Sequence, residues 1–349
     1  MKQSNYFQDR NDTNILKLQD LKRELPFFCS EFFMGIESHT TPLTRVGYAI
    51  DLKIFFDFLT REMPEFVGKS IKQLTMDDLE KLTSTHIEHY MHYLNLYKLD
   101  GKIYRNGEKA KSRKLSAIRS MLKYFFKKGA LSKNIGEKID TPKIHESEIV
   151  RLEIDEMVKI LNESENGYNL TKMQRGFHSH TKKRDMAMLS LFLGTGIRIS
   201  ECVGLNIEDI DFDANAFTIT RKGGNRVILY FNDEVKETLI AYLEERENDK
   251  TIPKDERALF LSLQKKRIGV RAVEKLVKKY AAIAAPLKHI TPHKLRSTFG
   301  TNLYRETGDI YVVAAVLGHK DVNTTRKHYA AIQEDIRRTA ADKVKLRKE

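Results

Sequence analysis

The sequence predicts a mainly α-helical protein with one small β-hairpin, built as an N-terminal helical domain followed by an α+β domain. Apolar residues recur at helical spacing through residues 15–130. A polar stretch containing Pro142 then interrupts the pattern over 131–149. Beyond it, the two runs read as strands are AFTIT at 216–220 and RVILYF at 226–231. The division expected is a polar tail at 1–14, a helical domain at 15–130, a linker at 131–149, a second domain at 150–335 and a tail at 336–349.

In the first domain, residues 15–35 have helical spacing around Pro26, which predicts a kink or break there. Thr41-Pro42 reads as the cap and first residue of a new helix, with Val46, Ile50, Ile54 and Phe58 along its stripe. Thr75, followed by Asp77 and Asp78, opens another, and a further helix covers about 85–98. The charged segment 98–111, with two glycines, reads as a loop. Ser112 to Lys128 is helical: Leu115, Ile118, Leu122 and Phe125 face inward and Gly129 stops it. Its other face carries Arg113, Lys114, Arg119 and Lys123, which reads as a face for the DNA backbone or as a solvated basic face.

In the second domain, residues 183–193 form an apolar-rich helix broken by Gly194-Thr195-Gly196, and Arg198 opens a short helix after it. Glu201, one turn later, either holds that guanidinium or is solvated. Arg221 to Asn225 joins the two strand runs as a glycine turn bearing Lys222, which can donate a proton to a leaving oxygen or sit in water. Thr291-Pro292 starts a helix that places His293 and Arg296 on one face. Gly318 ends the next helix, and His319 follows it directly. Thr324-Thr325 caps a short helix bearing Tyr329. Taken singly, each of these residues has an ordinary structural reading; a tyrosine is most often core.

Taken together Arg198, His293, Arg296, His319 and Tyr329 are a set: two arginines and two histidines leading to one tyrosine. That inventory suits attack of a phenol on a phosphodiester, with guanidinium groups holding the developing charge in place of a metal. Composition suits a polyanionic partner, with 61 Lys plus Arg against 48 Asp plus Glu, net +13. Cys29 and Cys202 fall in different halves in apolar contexts, so free buried thiols and a reducing cytoplasm are expected. The N-terminus lacks an apolar signal core, no apolar run approaches a membrane span, and no cofactor is expected.

GTGIRISE, TRKGGNR, TPHKLR and LGHKDVNTTRKHY together resemble the tyrosine recombinase (phage integrase) family, nearest to its Xer-type members and to the single-protein XerS branch of Firmicutes. The resemblance covers about residues 15–335. SRKLSAIRSMLKYFF is similar to the family's SAM-like core-binding domain. The resemblance implies that Arg198, Lys222, His293, Arg296, His319 and the nucleophile Tyr329 cut and rejoin double-stranded DNA through a 3′-phosphotyrosyl link. It also implies a homotetramer on two sites, a role in chromosome dimer resolution, and a DNA translocase as a possible helper. The alternatives are a mobile-element integrase, a type IB topoisomerase and a silent DNA-binding regulator. Two departures stand out. Ser297 replaces a histidine common in relatives. The segment 165–182 is long, and its His178 and His180 read as part of a solvated loop rather than a metal site.

Overall fold

The computed structural model describes residues 6–143, 150–221, 224–318 and Val322. The chain forms two compact units, Met1–Glu146 and Ser147–Glu349.

The first unit contains α1 (Tyr6–Lys22), α2 (Phe28–Gly35), α3 (Pro42–Glu62), α4 (Met76–Glu80), α5 (Ser84–Tyr93), a hairpin of β1 (Tyr97–Leu99) and β2 (Lys102–Tyr104), and α6 (Glu108–Lys127). Helix α1 runs through the segment expected as a polar tail. The break at Pro26 separates α1 from α2. Thr41 caps α3 by accepting a hydrogen bond from the Thr44 amide, with Pro42 at the first helical position. The core is aromatic. Phe28 lies edge-on to Phe56 and Phe125, and Phe55 to Tyr90, all fully or nearly fully buried.

Other expectations for this unit are corrected too: the helix expected over about 85–98 ends at Tyr93. The segment expected as a loop at 98–111 is the β1–β2 hairpin followed by the first turn of α6. Asp100 and Gly101 form its tip with φ of 48° and 75°, the positive pair that a two-residue hairpin turn requires. Asp-Gly between two short runs of alternating charged and apolar residues is the signal that reading passed over. Tyr104 stacks on Tyr97 at 5.4 Å and Tyr97 packs on Tyr93 at 5.1 Å, which pins one face of the ribbon. The first part of the expected linker is also not free chain. Leu131, Ile135 and Ile139 are buried in this unit's core.

The basic face of α6 is largely committed inside the unit. Lys114 is 5% exposed, and its ammonium donates to the fully buried Asp51 at 3.2 Å. Arg113 donates to the other oxygen of Asp51. Burial pushes the Asp51 carboxyl up, and the two cations oppose that shift. Arg119 donates from Nε to the Gly136 carbonyl at 2.9 Å and from Nη1 to Thr141 at 2.7 Å, holding the turn after α6. Lys123 is exposed.

The second unit contains α7 (Ile154–Asn166), α8 (Lys172–His178), α9 (Lys182–Thr195), α10 (Ile199–Gly204), strands β3 (Ile210–Asp211), β4 (Ala216–Thr220) and β5 (Arg226–Tyr230), then α11 (Asp233–Asn248), α12 (Val270–Ala284), α13 (Pro292–Thr307) and α14 (Ile310–Leu317). The expected hairpin is β4–β5, joined by a short β3 in an antiparallel order β3-β4-β5. Helix α9 is the central element: Ala187 through Phe192 are buried in succession, and it packs on α7, α11 and α13. Its Asp185 is buried and accepts from Arg184, Lys279 and the Tyr280 hydroxyl. The segment 165–182, expected as a solvated loop, holds α8. Its His178 is buried, with Nε2 2.8 Å from the Ser164 carbonyl. Cys29 and Cys202 are free, buried thiols, and burial pushes both well above the ordinary thiol range.

Removing one partner of a buried ion pair leaves the other charge stranded. Lys114→Ala should therefore lower the stability of the first unit by about 3 kcal/mol, read as a lower urea midpoint. Lys123→Ala should shift that midpoint by less than about 0.5 kcal/mol equivalent. Equal effects of the two would remove the buried role of Lys114.

Candidate active site

The last turn of α14 organises this site. A helix C-terminus leaves carbonyls without intrahelical partners and carries partial negative charge. Gly318 adopts φ +62°, and its amide turns back onto the Ala314 and Ala315 carbonyls. That leaves the carbonyls of Val316, Leu317 and Gly318 pointing outward, and each of them accepts from an arginine.

Arg198 is the cap residue of α10, placed there by the left-handed turn at Gly196 that ends α9. Its Nη2 donates to the Leu317 carbonyl at 3.3 Å and to the Gly318 carbonyl at 3.2 Å. Arg296, on the second turn of α13, is 4% exposed. Its Nη2 donates to the same Leu317 carbonyl and its Nη1 to the Gly196 carbonyl. The two guanidinium groups, 98 positions apart in the chain, thus meet on one oxygen. Gly196 itself has no room for a side chain, since a Cβ there would lie 2.5 Å from Phe299 and 3.0 Å from Leu317.

Glu201 is 5% exposed and settles its two open readings in favour of the guanidinium. One oxygen accepts from Arg198 Nη1 at 2.8 Å, the other from the Arg198 amide at 3.0 Å. It fixes both the side chain and the start of α10.

The sequence reading missed Arg221. It sits at the end of β4, and its Nη2 donates to the Val316 carbonyl at 3.1 Å. Burial and the nearby Arg198 charge pull its guanidinium below the ordinary range, while Glu201 opposes them. Three guanidinium groups therefore share the end of α14, and Glu201 is the carboxylate bonded to one of them, Arg198. Such a cluster favours a bound anion, and a phosphate diester supplies charged acceptors in the geometry that guanidinium groups prefer.

His293 lies one turn before Arg296 on α13 and is exposed. Thr291 caps that helix, with Pro292 at its first position. Ser297 donates its hydroxyl to the His293 carbonyl at 3.1 Å, so the departure at this position is spent within the helix. Lys222, His319 and Tyr329 lie outside the described residues. Among the described residues, no group of three or more His, Cys, Asp or Glu is placed to hold a metal ion.

The family model "Phage integrase family" matches residues 150–335. The chain is 31% identical over 328 residues to the tyrosine recombinase XerC of Caldanaerobacter subterraneus subsp. tengcongensis, covering 91% of this chain and 86% of that protein. It is 30% identical over 353 residues to the tyrosine recombinase XerS of Streptococcus agalactiae serotype III, covering 94% and 98%. Its fold is similar to that of the XerH site-specific recombinase bound to a palindromic difH substrate, with TM-score 0.62, 19% identity and coverage of 86% and 80%. A lambda integrase dimer bound to a core site is also similar, with TM-score 0.60, 16% identity and coverage of 86% and 93%.

The crowding at Gly318 can be measured. An added Cβ there would lie 1.8 Å from Arg221 Nη1, whereas at Gly308, with φ +66°, nothing lies within 4 Å. Gly308→Ala should cost about 1 kcal/mol of stability, from backbone strain alone. Gly318→Ala should cost more, about 2–3 kcal/mol, because the guanidinium must also move. Equal shifts in thermal unfolding would show that Arg221 is not seated against this turn.

Proposed function

The chain belongs to the phage integrase family of tyrosine recombinases, and on that premise we propose that Tyr329 attacks a DNA phosphate while Arg198 and Arg296 hold its non-bridging oxygens. The protein is a site-specific recombinase that cuts and rejoins DNA. The observation that supports this assignment is the meeting of Arg198 and Arg296 on the Leu317 carbonyl, two residues before His319. Donors fixed in advance at a developing charge are the largest single term in such catalysis.

The steps balance without an outside reactant. The Tyr329 oxygen bonds to phosphorus as its proton passes to His293, because a phenol with an ordinary pKa near 10 is mostly protonated at neutral pH. The arginines and an N–H of His319 stabilise the pentacoordinate charge. The bond from phosphorus to the 5′-oxygen breaks, and Lys222 protonates that oxygen. The 3′-phosphotyrosine keeps the energy of the broken bond, so a 5′-hydroxyl from another strand reverses the step. Four protomers on two sites complete an exchange, with the tail at 336–349, which lies outside the described residues, proposed to dock on a neighbour. The role we assign is chromosome dimer resolution in the cytoplasm, with a DNA translocase as a possible helper, rather than integration of a mobile element.

For the first unit, the DNA face is reassigned in part. Lys114 and Arg119 are committed to internal partners, and Arg113 is shared with Asp51. Lys123 keeps its assignment. The exposed Lys98, Lys102, Arg105 and Lys109 join it, on and beside the pinned β1–β2 ribbon. The face of that ribbon turned away from Tyr93 carries Lys98 and the exposed Ile103, and the exposed Leu96 and Arg105 flank the strand ends.

Covalent trapping tests the chemistry and the role together. Wild-type protein should form a DNA adduct that maps to one fixed chromosomal locus. Tyr329→Phe should form none while binding DNA within about threefold of wild type, since one hydroxyl contact is lost. Arg296→Lys should lower adduct formation by two or more orders of magnitude, roughly the loss of a preorganised donor. Adduct from Tyr329→Phe would mean a different nucleophile, and adducts mapping to the ends of a mobile element would replace the chromosomal role.

Salt dependence tests the DNA face. Each lost phosphate contact lowers the slope of log K against log salt by about 1. The double variant Lys98→Ala/Arg105→Ala should lower it by about 2, with thermal stability unchanged. An unchanged slope would remove the ribbon from the interface.

A further inference from the structure

Arg221 takes part in a contact that the assigned chemistry does not use. Its main chain closes the β4–β5 turn: its amide donates to the Asn225 carbonyl at 2.8 Å, and its carbonyl accepts from the Gly224 amide at 3.0 Å. Its side chain leaves the sheet and reaches α14, where Nη2 donates to the Val316 carbonyl. The fit is close on the α14 side, because the guanidinium occupies the space where any residue but glycine at 318 would place its Cβ. One residue therefore ties the turn to the helix end that also receives Arg198 and Arg296. The next residue in the chain is Lys222.

We propose that Arg221 is a positioning residue that holds the β4–β5 turn against the end of α14, so that Lys222 meets the leaving 5′-oxygen of a phosphate gripped by Arg198 and Arg296. This rests on the reading of Lys222 as the general acid. The physical need is plain. The turn contains Gly223 and Gly224, and glycine backbone is permissive. A lysine has a long flexible stem, and its ammonium is a point charge with no geometry of its own. Proton transfer in the transition state requires hydrogen-bond reach, and an error of about 1 Å in placement costs up to roughly 100-fold. A tether one residue away, anchored on the same helix end as the phosphate-gripping arginines, removes that freedom. The tether uses a planar guanidinium on a helix carbonyl, which a neutral side chain of similar length cannot reproduce.

The location also separates this role from a direct grip on phosphate. Arg198 and Arg296 share the Leu317 oxygen, whereas Arg221 bonds one residue earlier, to Val316. The buried carboxylate of Glu201 is bonded to Arg198. The Arg221 hydrogen bond thus fixes the turn and leaves the grip on the phosphate to the other two arginines.

The test uses full-length protein on a duplex carrying the site recovered by adduct mapping, with either an ordinary 5′-oxygen or a bridging 5′-phosphorothiolate at the cleaved bond. Sulfur is a good leaving group and needs little protonation. Arg221→Met should slow adduct formation on the oxygen substrate roughly 10- to 100-fold and recover to within about threefold of wild type on the sulfur substrate, where the acid step is no longer limiting. DNA affinity should stay within about threefold. Arg221→Lys should fall between Arg221→Met and wild type on oxygen, because one donor can still reach the carbonyl. If Arg221→Met does not fold, Arg221→Lys carries the same comparison. Lys222→Ala and Arg198→Ala run beside them. Wild-type rates for Arg221→Met on oxygen would overturn the proposal, as would a loss that sulfur does not rescue while it rescues Lys222→Ala. A Lys222→Ala defect that sulfur fails to rescue would instead sink the acid reading, and the positioning role with it.

Discussion

Three arginines on the exposed carbonyls of one short helix are the constraint on which the active half of this protein depends. Guanidinium groups repel one another, and all three of these are partly or fully withdrawn from water. The carbonyl end of α14 makes the arrangement stable by supplying partial negative charge and three acceptors that the helix itself cannot use. Glu201 adds a full negative charge on one side. What remains is an excess of positive charge directed at a single place, held by groups drawn from α9–α10, β4–β5 and α13. A phosphate completes that balance better than the carbonyls do, because it brings its own charge.

The first unit uses the opposite economy. Asp51 is withdrawn from solvent completely and receives two cations from α6, so part of a face rich in lysine and arginine is turned into internal fastening. A buried pair of this kind specifies which helices meet more than it adds to stability, since desolvating the charges offsets most of their attraction. The consequence for recognition is that cationic residues on a helical wheel are not equally available to DNA. The ribbon β1–β2 has no such internal anion within bonding distance of Lys98 or Arg105 among the described residues.

What could be read from the sequence followed the range of the interaction that set it. Thr41-Pro42 and Thr291-Pro292 were legible as helix starts because a cap is decided within four residues. The β4–β5 hairpin was legible from two β-branched runs and a glycine turn. Arg198 and Arg296 stood out in the sequence because their local motifs are distinctive, although their meeting point, the Leu317 carbonyl, is not encoded near either of them. Lys114 and Arg119 were assigned to an outward face, but Lys114 is buried, and their partners at Asp51 and Gly136 lie 63 and 17 positions away. Arg221 was passed over for the same reason, since its partner is 95 positions distant. The hairpin at Asp100-Gly101 is a different case. Its turn signal was local and present, and the charge around it was given more weight than the turn chemistry.

The two cysteines give the molecule a built-in clock for each half. Cys29 lies in the first unit's core and Cys202 in the second's, on α10 beside Glu201, and both are fully buried with thiols held protonated by their surroundings. A thiol in that state reacts with an alkylating reagent only when its surroundings open. The rate at which each is modified therefore reports how often its own unit breathes. Because Cys202 adjoins the residue that fastens Arg198, a ligand that tightens the arginine cluster would slow one clock and leave the other running.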